Sequence, residues 1–268
     1  MMWLFRKKQK IILALGGGGA RGLSNIGVLK VLERSFGREH MPFDMIVGTS
    51  IGSLIGAAYC LGTSPEEIEK KAEMFSWPKI VDLGFSSTGL LKGNKFSDII
   101  SDIVGNKGFD DLKIPFGLTT TDIETGEECA HTSGDMVRLI RASCSWPGIF
   151  SAVEVGGRLL TDGGVRNSIP TKAAKDLGAT LILAVDPGFC VKCQKINNAM
   201  TALIQSIQIM GEELNAYQAR AADVVIKPVL ENVDQFDFDR AAEIIAGGET
   251  AALDKIRTIK RKLKRLGR

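Results

Sequence analysis

The residues equipped for chemistry fall into three short motifs. In Gly48-Thr49-Ser50-Ile51-Gly52 a serine stands between two glycines, after the apolar stretch Met45–Val47 and before an apolar helical pattern. Flanking glycines let a chain turn sharply and expose the serine hydroxyl, as in a nucleophile elbow. At a helix N-terminus the dipole also favours negative charge developing at the reacting centre. The same residues make an ordinary tight turn with Ser50 as a helix cap, so the motif needs partners before it means catalysis.

The second motif, Gly16-Gly17-Gly18-Gly19-Ala20-Arg21-Gly22, follows the apolar run Ile11–Leu15. Glycine serves where the backbone must take positive φ or come close to a ligand. The spacing Gly17-x-Gly19-x-x-Gly22 also matches a dinucleotide fingerprint. That fold wants an acidic residue at the end of the next strand, and here the next strand runs into Gly48-Thr49-Ser50. A phosphate-binding P-loop wants Lys after the last glycine, where Leu23 stands. What remains is a turn whose backbone N–H groups suit a phosphate or a developing oxyanion. The third motif is Asp162-Gly163-Gly164, after Arg158–Thr161. It can turn a carboxylate toward a cleft, although alone it reads as a β-turn.

Histidine supply decides how these parts combine. The chain has only His40 and His131. The first lies in a polar stretch before Pro42, and the second stands near a predicted turn. A dyad of Ser50 and Asp162 uses every motif without either.

The elements that must position these residues alternate between strand and helix. Short apolar runs at Ile11–Leu15, Met45–Val47, Phe116–Thr121, Leu181–Asp186 and Val224–Lys227 predict strands covered on both faces. Leu23, Ile26, Leu29 and Leu32 give the first helix a core-facing stripe. Ser64-Pro65-Glu66-Glu67 is a capping box with proline in the first turn, predicting a helix to about Ser76. Long patterns from Asn197 to Ala222 and from Asp239 to Leu266, the latter broken at Gly247-Gly248, make the last third rich in helix. Residues 86–95, rich in Gly, Ser and Lys, predict a mobile loop. Together these give one α/β domain. Residues 11–172 hold the motifs, and 173–268 form a helix-rich C-terminal part completing the same domain.

Composition narrows the function classes. At 44% hydrophobic and 24% charged residues the chain is in the ordinary globular range, and no apolar run is long enough to cross a membrane. Near the N-terminus Trp3-Leu4-Phe5 precedes the basic residues, the reverse of a signal peptide, so a cytoplasmic location is expected. Five cysteines fit that compartment. Cys190 and Cys193 form one CxxC with no second pair or histidine nearby in sequence, so no metal or cofactor is expected. The net charge of +3 hides an asymmetry. Eleven of the 34 basic residues lie in 1–10 and 257–268, leaving 23 against 31 acidic, or about −8, between them. The C-terminal stretch puts Ile256, Ile259, Leu263 and Leu266 on one helical face with basic residues around it. Such a helix either packs its stripe on the domain, the favoured reading, or lies at an anionic inner-membrane surface, so that the two basic termini are candidates for peripheral membrane contact.

Taken together, the motifs resemble the patatin-like phospholipase family, in particular its compact bacterial members. The likeness runs from about Ile11 to Lys172 and includes Thr121–Gly126, Arg141-Ala142-Ser143 with Pro147 and Phe150, and Asn167-Ser168-Ile169-Pro170. The resemblance implies a three-layer α/β sandwich with a central, mainly parallel sheet. It implies acyl-ester hydrolysis on (lyso)phospholipids or related lipids, with Ser50 as nucleophile and Asp162 as base. Oxyanion donors would come from Gly17, Gly18 and Gly19, and Arg21 would orient substrate phosphate or brace the loop. Gly22, Gly48, Gly52, Gly163 and Gly164 complete the motifs. A lipid or acyl ester, rather than nucleic acid, is the expected partner. Acyl transfer or thioester hydrolysis by the same dyad, or a non-catalytic lipid-binding role, are the alternatives.

Overall fold

The computed structural model describes residues 9–75, 77–82, 88–105, 107–191 and 195–268. In chain order the first elements are β1 (Ile11–Leu15), α1 (Ser24–Phe36), β2 (Met45–Thr49), α2 (Ile51–Cys60), α3 (Pro65–Glu73) and α4 (Trp77–Ile80). There follow β3 (Gly89–Leu91), α5 (Asn94–Val104), β4 (Phe116–Asp122), β5 (Glu128–His131) and α6 (Met136–Ser143). Next come β6 (Gly148–Phe150), β7 (Val153–Val155), β8 (Arg158–Asp162), α7 (Gly164–Asn167) and α8 (Thr171–Asp176). The chain finishes with β9 (Leu181–Val185), α9 (Ala199–Ala219), β10 (Val224–Ile226) and α10 (Ala241–Leu266).

The main sheet has the order β10-β9-β1-β2-β4-β8-β7, with β5 also paired to β4. From β10 to β4 the pairings are parallel, whereas β8, β7 and β5 are joined antiparallel. Strand alternation divides the core. Ile11, Leu13 and Leu15 enter the cluster formed with α1, α2 and α10, while Ile12 and Ala14 join Val47, Ile182 and the α8 residues Ala173 and Ala174. Helices therefore cover both faces, and two strands from beyond residue 172 belong to the same sheet as β1. This is the expected mainly parallel, helix-covered architecture.

The five predicted strands are present, β1 with the expected ends and the other four with one end shifted by one or two residues. The Ser64–Glu67 capping box is formed in both directions. Its helix stops at Glu73 rather than near Ser76, and Phe75 then packs on Phe96 and Phe238. Residues 86 and 87 of the expected loop lie outside the described residues. Beyond them β3 pairs in parallel with β6, and α5 starts at Asn94, so most of 88–95 is ordered by pairing and by a helix start.

The last helix runs unbroken through Gly247-Gly248, contrary to the expected interruption. Its glycines serve a helix crossing instead. A side chain at Gly248 would strike the Ser24 carbonyl, and one at Gly27 would strike the Ile245 carbonyl. The two helices can approach so closely only without those side chains. The stripe of α10 faces inward: Ile259 and Leu263 are buried, with Ile256 and Leu266 packed against the same cluster. Its apolar face is thereby used by the fold, and the basic residues are left outside. Arg6, Lys7 and Lys8 lie outside the described residues. No helix among the described residues is long and apolar enough to cross a membrane.

Candidate active site

Two parallel strands deliver the first two motifs to one place. The glycine turn follows β1 and Ser50 follows β2, so both lie at the carboxyl ends of neighbouring strands, where open α/β sheets bind ligands. Asp162 ends β8, which reaches the same region because Thr120 of β4 pairs with it.

Ser50 has φ 53° and ψ −130°, a conformation that non-glycine residues seldom adopt and that costs about 1–3 kcal/mol. Its neighbours hold it there. The Ser50 N–H donates to Ser143 Oγ at 2.8 Å, and that hydroxyl donates to the Thr119 carbonyl at 2.8 Å. The Ser50 carbonyl accepts from the Ser53 N–H at 2.8 Å and from Ser53 Oγ at 2.6 Å. Gly48 and Gly52 let the turn close, because a side chain on either would meet backbone of Gly52 or Leu15.

The Ser50 hydroxyl donates to Asp162 Oδ2 at 2.8 Å. The other carboxylate oxygen accepts the Gly164 N–H at 2.7 Å, which fixes the plane of the group. Gly163 lies against Thr119 and Gly164 against Asp162 Oδ1, so side chains there would crowd the carboxylate or its strand. Asp162 is buried, and desolvation pushes its pKa up to about 6 against the opposing hydrogen bonds from Gly164 and Ser50. An ordinary aspartate, near 4, would be a much weaker base.

The glycine turn divides its labour. Gly17 donates its N–H to the Ser168 carbonyl at 2.9 Å, so it is not a free donor as the motif alone suggested. Its lack of a side chain matters more, since a Cβ there would stand 3.0 Å from that of Ser50. The N–H groups of Gly18 and Gly19 open a short 3-10 helix, Gly19–Leu23, and have no acceptor among the described residues. Both glycines line the cavity above Ser50. Gly22 allows Ile51 to pack against the turn.

Of the two roles expected for Arg21, its contacts are those of a brace. It is buried, and its guanidinium donates to the carbonyls of Pro187, Gly188, Leu230 and Val233 at 2.8–3.1 Å. It ties the glycine turn to two C-terminal loops and takes no part in the cavity wall. His40 is exposed. His131 bonds Thr120 Oγ1 at 2.8 Å, and burial and Arg158 push its pKa down, so it serves the sheet.

The cavity over Ser50 measures about 390 Å³. Its wall is mostly apolar, with Phe75, Phe96, Trp146, Phe150 and Phe238 among the lining residues. Cys144 also lines it beside Ser50, but burial pushes its thiol up and keeps it protonated. Three further positioning residues are not evident from motif spacing. Ser143 holds the elbow, and the Ser145 carbonyl accepts from the Asp162 N–H and Thr161 Oγ1. Arg141, buried, donates to Ser145 Oγ, Gly93 O and Lys92 O, anchoring this segment to the β3–α5 connection. Cys190 is free and Cys193 lies outside the described residues. Among the described residues no cluster of His, Cys, Asp and Glu could hold a metal.

This is an α/β protein with a serine bonded to a buried carboxylate at the carboxyl ends of its strands. The family model for patatin-like phospholipases matches residues 13–175, and the chain belongs to that family. It is 36% identical over 188 residues to neuropathy target esterase sws of Drosophila melanogaster, covering 67% of this chain and 13% of that protein. It is 37% identical over 188 residues to human patatin-like phospholipase domain-containing protein 6, covering 66% and 13%. Lysophospholipase NTE1 of Phaeosphaeria nodorum is 36% identical over 186 residues, covering 67% and 12%. The matched region thus spans only about an eighth of these relatives. The crystal structure of VipD from Legionella pneumophila superposes with a TM-score of 0.62 at 11% identity, covering 93% of this chain and 67% of that one. That likeness concerns the fold.

Proposed function

We propose that this protein hydrolyses carboxylic ester bonds of (lyso)phospholipids or related acyl esters, with Ser50 as nucleophile and Asp162 as base. The observation that carries the reading is the 2.8 Å hydrogen bond from a conformationally strained serine to a buried carboxylate, beneath an apolar cavity. Attack by Ser50 Oγ on the ester carbonyl transfers its proton to Asp162 Oδ2. The tetrahedral oxyanion meets the free N–H groups of Gly18 and Gly19, each such donor being worth about 3 kcal/mol. The proton on Asp162 then passes to the leaving alcohol, and a water deprotonated by the same carboxylate releases the acyl group. Gly17 acts by letting the turn approach Ser50.

The apolar wall suits an acyl chain, and the lysophospholipase named among the relatives fits that chemistry. The paired, strained serine favours catalysis over a purely lipid-binding role. Contact of the C-terminal helix with an anionic membrane, at the inner surface or elsewhere, would involve its basic face alone, because its apolar stripe is packed inward.

The test is covalent labelling. A fluorophosphonate probe should attach to Ser50, and the labelling rate should climb tenfold per pH unit below about 6 before levelling above it, as Asp162 ionises. Labelling elsewhere, with Ser50 untouched in folded protein, would remove this assignment.

A further inference from the structure

Helix α9 is amphipathic in the wrong sense for a soluble helix. Its buried residues are Gln208, Asn215 and Gln218. They join the helix to the body by hydrogen bonds: Gln208 Nε2 to Gln235 Oε1 at 2.7 Å, and Asn215 Nδ2 to Asp186 Oδ1 at 2.9 Å. Gln218 accepts from the Ile169 N–H and donates to the Arg166 carbonyl. A different side of the helix carries large apolar residues in solvent. Leu203, Met210 and Tyr217 stand seven residues apart, on one line along the helix, and are 48%, 63% and 71% exposed.

That line is continuous with the catalytic cavity. Met210 belongs to both, and Ile207 and Leu214, on the adjoining side of the stripe, form cavity wall. Val165 also lines the cavity while remaining 43% exposed. Residues 196–211 contain no charged side chain. The exposed cations Lys195, Arg166 and Arg220 stand outside the line, before the helix, beside Val165 and at the helix end. Glu212 is turned off the line by the helical period, whereas Glu213, three residues after Met210 and four before Tyr217, borders its C-terminal half.

We propose that this outer face of α9, with Val165, is an interfacial surface that docks on a lipid layer and opens the cavity toward it. The lipid is the occupant because the stripe runs into the mouth through which an acyl chain must enter. A second protein seated there would close that mouth, whereas a lipid layer supplies its substrate. The flanking cations match anionic head groups, the arrangement of a helix lying in a membrane interface. The choice of lipid rests on the proposed acyl-ester hydrolysis.

The test compares the wild-type protein with the double variant Leu203→Glu/Tyr217→Glu, both positions lying outside the cavity wall. Two readouts are needed: cosedimentation with vesicles of phosphatidylcholine and phosphatidylglycerol in equal parts, and hydrolysis of dissolved p-nitrophenyl butyrate. The variant should bind vesicles at least about tenfold more weakly while turning over the dissolved ester within about twofold of wild type. Equal vesicle binding by the two proteins overturns the surface, as does a wild-type protein that ignores vesicles while hydrolysing the ester. A wild-type dimer that becomes monomeric in the variant, with no vesicle binding by either, assigns the face to a second copy and also overturns it. Vesicle binding lost in the variant, with no ester turnover by the wild type, keeps the surface and sinks the dyad instead.

Discussion

The two long C-terminal helices, α9 and α10, are built in opposite senses. The apolar side of α10 faces the core, its glycines press on α1, and its charges face water. By contrast, α9 buries amides and sets its large apolar side chains in the cavity wall or in solvent. Both patterns give a helix, since helix formation needs only the period and the propensity. What differs is use: α10 fastens the fold, and α9 roofs the cavity with a face the fold does not require. The membrane-binding candidate visible in sequence was α10, because its stripe is ringed by positive charge. Packing against α1 takes that stripe out of play.

The largest effect should come from the α1–α10 crossing. Gly248→Val drives a side chain into the Ser24 carbonyl and should cost at least about 3 kcal/mol, read as a lowered urea midpoint. If it is tolerated, α10 is not fastened as described.

The next two concern Asp162 and Ser50 at the cavity that α9 lines. Asp162 has a pKa raised by burial, so its contribution to stability is fully present below the unfolded value near 4 and is lost as pH rises through about 6. Asp162→Asn should therefore be more stable than wild type by roughly 2 kcal/mol at pH 7, a gain that fades as pH falls to 4. Urea titrations at the two pH values check it, and a gain independent of pH would point to another cause. Ser50→Gly should exceed Ser50→Ala in stability by about 1 kcal/mol, since glycine accepts the positive φ.

The smallest effect belongs to α9. Leu203→Ala should leave thermal stability within about 0.5 kcal/mol of wild type, as its side chain is half exposed. A loss of several kcal/mol would show that the outer face of α9 does contribute to the fold.

Much of the arrangement is legible in the amino-acid sequence. The strands were readable because two-sided burial leaves short apolar runs, and Gly48–Gly52, Gly17–Gly22 and Asp162–Gly164 because sharp turns need glycine at fixed offsets. The pairing of Ser50 with Asp162 followed from the scarcity of histidine. What sequence could not show are properties of position in space. Gly17 lost its donor to Ser168, Arg21 faces four carbonyls rather than the cavity, and Gly247-Gly248 mark a helix crossing instead of a break. Ser143 and Arg141 act through bonds to distant backbone, which no local spacing encodes. The inverted burial of α9 depends on Gln235, Asp186 and Arg166, each brought in from another segment.

The central claim is that Ser50 and Asp162 act as one catalytic unit. Its most direct test is kcat/KM for p-nitrophenyl butyrate in Ser50→Ala, Asp162→Asn and the double variant, with folding confirmed by circular dichroism. Each single variant should lose at least about a thousandfold, roughly 4 kcal/mol of transition-state stabilisation, and the double variant should lose little more than either alone. A folded Ser50→Ala protein retaining activity within tenfold of wild type would contradict the account.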